Sequence, residues 1–126
     1  MKKILLLVLS CFLLNPLSAV FAVDEYQSQM SYYENLSSCS PGRFSLGIMG
    51  EYQIYGVKNN KCYTKETLGA RELRCVLPPS VAKRYAQEGR KAMLKERAVG
   101  AIYSPYIIEV NNTYCSEYGA IYCTVS

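Results

Sequence analysis

Five cysteines follow residue 22 in a chain that contains no histidine: Cys39, Cys62, Cys75, Cys115 and Cys123. Tetrahedral zinc takes four cysteine or histidine ligands, usually in closely spaced pairs, and thioredoxin-type redox centres take C-x-x-C. The sequence has neither pattern. The cysteines therefore read as disulfide staples, with no metal and no cofactor, and that reading requires an oxidising compartment.

The amino end points to such a compartment. In "MKKILLLVLSCFLLNPLSAVFA", Lys2 and Lys3 form a charged start, Ile4 to Leu14 an apolar centre and Val20-Phe21-Ala22 an A-x-A-like exit. This is the pattern of a secretory signal peptide over residues 1–22. Asn15 and Pro16 interrupt the apolar run before the ~20 residues a membrane span needs. Lipid attachment at Cys11 would leave an unusually short leader, so cleavage after Ala22 is the simpler reading. The expectation is an exported protein, periplasmic or extracellular, with no transmembrane span in the mature chain. Residues 23–126, roughly 100 residues, suffice for a single secreted α+β domain.

Losing Lys2 and Lys3 lowers the net charge from +4 to +2, a balance that does not indicate nucleic acid. All twelve tyrosines lie beyond the leader, where Phe44 is the single Phe and Trp is absent. Tyrosine must then supply the aromatic packing, and each buried ring needs a partner for its hydroxyl.

Asp24 to Ser37 reads as a short helix, with Tyr26, Met30, Tyr33 and Ser37 on one face and acidic residues at its start. Ser40-Pro41-Gly42 breaks the chain, and a β region follows from Arg43 to Leu77. Asn59-Asn60 suits a tight hairpin turn because Asn tolerates positive φ. At the second turn, charge favours a four-residue loop, Thr67 to Ala70, which pairs Glu66 with Arg71 and Lys65 with Glu72. A two-residue loop at Gly69-Ala70 would set Lys65 opposite Arg74 instead, and like charges directly opposite are unfavourable. The four-residue loop also sets Cys62 opposite Cys75. One face then collects Tyr55, Val57, Cys62, Thr64, Leu73, Cys75 and Leu77, and the other collects Tyr52, Ile54, Tyr63, Lys65, Glu72 and Arg74.

Pro78-Pro79 ends this sheet, and Ser80 is placed to cap a long basic amphipathic helix running to about Val99. Its apolar stripe is Val81, Tyr85, Ala92 and Met93, with a small-residue seam at Ala82, Ala86 and Gly89. In the final segment, a turn at Asn111-Asn112 and a loop at Tyr118-Gly119-Ala120 predict a second set of strands that brings Cys115 opposite Cys123. The fold expectation is α+β: a small antiparallel sheet in two three-stranded meanders, packed with one long and one short helix. Disulfides Cys62–Cys75 and Cys115–Cys123 staple it, leaving Cys39 unpaired, intermolecular or paired differently.

No reaction can be written from these residues. Cys39 has no histidine to serve as its base. Paired-carboxylate catalysis would have to come from Glu51, Glu66, Glu72, Glu109 and Glu117, of which Glu66 and Glu72 already have charge partners in this register. The expected function is a non-enzymatic extracytoplasmic binding or structural module, ahead of a secreted inhibitor or effector-like protein and of a small Glu-dependent hydrolase. Two surfaces stand out for contact with an envelope or extracellular protein or an anionic envelope surface. One is the basic set Lys83, Arg84, Arg90, Lys91, Lys95 and Arg97; the other is a recognition patch of Tyr52, Tyr63, Tyr114 and Tyr122.

Overall fold

The computed structural model describes residues 22–119. The leader ahead of Ala22, the expected strand carrying Tyr122, and Cys123 lie outside the described residues.

Helix α1 spans Ala22–Leu36, with Asp24 and Glu25 in its first turn, where the helix dipole favours negative charge. Gln29, Tyr32, Tyr33 and Leu36 are its buried residues beyond that turn. Strand β1 (Gly42–Ser45), a 3-10 turn (Gly47–Met49), β2 (Gly50–Lys58), β3 (Lys61–Leu68) and β4 (Arg71–Leu77) follow. Helix α2 runs over Pro79–Glu96, α3 over Pro105–Tyr114, and β5 over Cys115–Gly119. The five strands form one antiparallel sheet in the order β1-β2-β3-β4-β5. The three helices pack on one face around a single buried cluster.

The architecture is α+β, but one five-stranded sheet replaces the two meanders, because the segment expected to open the second is a helix. Ser104 caps α3 by accepting the Ile107 N–H at 3.2 Å, and Pro105 occupies its first turn. Ile107 and Val110 then fall three residues apart on the buried side. A capped start and helical spacing outweigh the strand preference of the Ile-Ile-Glu-Val run. Asn111 and Asn112 lie inside this helix rather than at a turn. Helix α2 begins at Pro79 with Pro78 as its cap residue, so Ser80 is already helical. It ends where Arg97 turns left-handed at φ 54°.

The first hairpin turns at Asn59 (φ 53°) and Asn60 (φ 59°), the positive values expected of a two-residue turn. A bulge then shifts the register between Ile54 and Gly56. Counted back from the hairpin, one extra residue sends the side chains that precede it in the strand to the opposite face. Tyr52 and Ile54 consequently point into the core, where both are 1% exposed, and Tyr55 points to solvent. The expected placement of all three is reversed.

The second hairpin adopts the two-residue turn at Gly69-Ala70, with Leu68 opposite Arg71, Thr67 opposite Glu72 and Lys65 opposite Arg74. The four-residue loop is thereby overturned. Gly69 supplies the left-handed φ of 61° that this turn needs. Arg74 escapes Lys65 by donating to Glu72 at 2.6 Å on its own strand and by stacking over Tyr118 on β5, 4.8 Å from the ring centre. A charge term of about 0.2–1 kcal/mol can be offset by such contacts.

The two-residue slip also re-pairs the cysteines. Cys62 now lies opposite Leu77 and Cys75 opposite Thr64, so Cys62–Cys75 does not form. Cys62 bonds Cys39, which follows α1, with 5.8 Å between Cα atoms. Cys75 bonds its register partner Cys115 at the start of β5, with a Cα separation of 4.1 Å. Cys39 is therefore a staple cysteine, and Cys115 is joined to Cys75 rather than to Cys123.

Candidate functional site

Counting alternate residues along β3 from Cys62 through Thr64 brings Glu66 onto the helix-covered face. Three elements converge there. Tyr32 of α1 donates its hydroxyl to Glu66 Oε2 at 3.0 Å, and Tyr85 of α2 reaches the same oxygen at 3.2 Å. Asn111 of α3 offers Oδ1 to the Tyr85 hydroxyl at 3.3 Å. Tyr32 also packs edge-on against Tyr52, ring centres 4.8 Å apart, and at a tilt against Tyr33 at 5.2 Å. Gly89 of α2 lets the Tyr33 ring lie directly on the helix backbone, since a Cβ there would overlap the ring.

Burial pushes the Glu66 carboxyl above its ordinary value, while the Tyr32 and Tyr85 hydrogen bonds and the charge of Arg71 pull the other way. Both phenols are raised well above theirs, first by burial and then by the Glu66 charge, so they remain protonated donors. Both hydrogen bonds fall on Oε2, and among the described residues none reaches Oε1.

Glu66 lines a cavity of about 280 Å³. Its walls are largely apolar, with Leu68 and Leu73 from the sheet, Ile102 and Tyr103 from the loop after α2, and Ile107 and Ile108 from α3. Asn111, Asn112 and Arg71 add polar groups, and Arg71 forms a salt bridge with Glu117 on β5. Among the described residues, Glu66 is the one carboxylate in this lining. An apolar hollow with a few converging polar groups is the ordinary form of a ligand site.

The other expected sites divide. The basic residues Lys83, Arg84, Arg90, Lys91, Lys95 and Arg97 are all exposed along and just beyond α2, and Arg84 stacks over Tyr106 of α3 at 4.1 Å. Of the recognition patch, Tyr52 is a core residue whose hydroxyl donates to the Gly100 carbonyl at 3.2 Å. Tyr122 lies outside the described residues. Tyr63 and Tyr114 both line a shallow groove of about 270 Å³ on the sheet, as do Tyr55 and Tyr118. The last two were not expected there, and Tyr55 reaches the surface only because of the bulge.

Among the described residues, no three His, Cys, Asp or Glu side chains gather as a metal site would require. No helix there is long and apolar enough to cross a membrane. No family model, curated protein or solved structure matches the chain.

Proposed function

We propose that the protein is a non-enzymatic extracytoplasmic binding module whose cavity takes an organic cation with a short apolar body. The observation that carries this reading is the Glu66 carboxylate, fixed by Tyr32 and Tyr85 at one oxygen and set in an apolar cavity. Arg71 is committed to Glu117, so these three charged groups leave a net negative charge at the cavity. A half-buried carboxylate in apolar surroundings is stabilised by an opposite charge within hydrogen-bond reach, and apolar walls match an alkyl chain. Hydrolysis by paired acids calls for a second carboxylate, and the lining holds one.

Titration with n-pentylamine, 1-pentanol and pentanoate, followed by amide chemical shifts, tests the reading. The amine should shift residues around the cavity, the alcohol should do so weakly and the acid not at all, and Glu66→Gln should abolish the amine response. Equal responses to amine and acid, or none to any amine, would refute it.

A further inference from the structure

Glu25 stands in the first turn of α1, is 4% exposed, and neither of its carboxylate oxygens receives a hydrogen bond from the described residues. Burying a carboxylate without a partner is costly, and buried charges are paired as a rule. The residue sits beside an open hollow of about 420 Å³ that it lines with Asp24, Ser45, Gly47 and Ile48. The Gly47 backbone closes over Oε1, so a Cβ there would overlap it, and Gly47 takes a left-handed φ of 63°. The Ser45 hydroxyl already accepts the Gly47 N–H at 3.1 Å. Asp24, the other charged group in this lining, has the same sign, and β1 and the 3-10 turn contribute no ionisable group to it. The helix dipole favours Glu25 but does not neutralise it. Among the described residues, the hollow has no cation.

The leader pattern supplies one. Hydrolysis of the Ala22–Val23 amide by water, catalysed by a leader peptidase, leaves a carboxylate on the released peptide and an ammonium on Val23. That nitrogen is backbone of the same first turn, two residues ahead of Glu25. We infer that Glu25 is the seat of the α-ammonium group created at Val23, so that removal of the leader completes the charge pairing at the start of α1. The inference rests on the leader reading and is independent of the ligand proposed above.

The test uses the protein recovered from an oxidising export compartment. Intact mass should place its first residue at Val23, and a different first residue would overturn the inference. With the α-amine carrying a ¹³C label by reductive methylation, its titration midpoint should fall by about one unit, a tenfold change in proton affinity, in Glu25→Gln. A form with one further alanine ahead of Val23 displaces the ammonium while keeping Glu25, and should melt roughly 5 °C lower than the native form. An unchanged midpoint together with an unchanged melting temperature would overturn the pairing. So would calcium raising the melting temperature of both forms equally, which would make the hollow a metal site.

Discussion

Replacing Tyr32 by Phe deletes one hydroxyl and leaves a buried ring of almost the same shape. The deleted group donates to Glu66 Oε2 at 3.0 Å, and Tyr85 remains as the second donor to that oxygen. With Glu66 ionised, a hydrogen bond to a charged group contributes about 1.5–3 kcal/mol, against about 0.5–1.5 kcal/mol for a neutral pair. The loss should therefore be roughly twice as large near pH 8 as near pH 4, where the carboxyl is protonated. The double replacement of Tyr32 and Tyr85 should cost less than the sum of the singles. Once the carboxylate has lost both donors, protonating it becomes the cheaper state, at about 1.4 kcal/mol per unit of pKa, and this caps the total. Tyr85 is the less clean single because its hydroxyl also faces Asn111. Urea unfolding with disulfides intact, followed by tyrosine fluorescence, gives these numbers, and the Tyr32→Phe midpoint should shift by about 1 M at pH 8. A loss that is the same at both pH values, or strictly additive singles, would refute the charged hydrogen-bond account.

A related outcome concerns Glu66→Gln. Because the folded carboxyl titrates above its ordinary value, its stabilising share is complete below about pH 4.5 and is lost as pH rises through the folded value. Wild type should thus lose ground to Glu66→Gln between pH 4 and 8, and parallel stability curves would contradict this. Non-reducing peptide mapping should join the Cys39 and Cys62 peptides, and the Cys75 and Cys115 peptides. On the chain-entropy model, the closed loops of 23 and 40 residues are each worth about 3–4 kcal/mol. Gly89→Ala drives a methyl into the Tyr33 ring and should destabilise by about 1–3 kcal/mol in thermal or urea unfolding.

How far the sequence discloses this molecule depends on the range of the interaction that decides each feature. Local signals are legible. Aspartate and glutamate ahead of a periodic segment mark α1, the Pro-Pro pair marks the start of α2, and Asn59-Asn60 marks the first hairpin. Features decided by tertiary contact are not. The bulge at Tyr55 follows from how β2 must present Tyr52 and Ile54 to the core; Gly56, inside the strand at φ 115°, is its one local signal and does not by itself say which residue is extra. The Gly69-Ala70 turn looks unfavourable from the Lys65–Arg74 pair alone, because Arg74's relief comes partly from Tyr118, more than forty residues away. Alternation already places Glu66 on the same face as Cys62 and Thr64, and that is the one sequence signal for the candidate site. Pairing it with Arg71 across the turn conceals the signal, whereas in the folded chain Arg71 turns to Glu117.

The two staples also decide how the folded chain bears a pull applied at its ends. Force passing from residue 22 to residue 119 bypasses the 23-residue loop through Cys39–Cys62 and the 40-residue loop through Cys75–Cys115. About a third of the described chain is left to lengthen, roughly 120 Å when drawn out, against about three times that once the bonds are reduced. All of β1, β2, α2 and α3 lie inside the bypassed loops, while α1, β3 beyond Cys62, β4 up to Cys75 and β5 lie on the loaded path. Under tension the oxidised protein would come apart at α1 and the β3–β4 turn, and reduction would change the sequence of events as well as the strength.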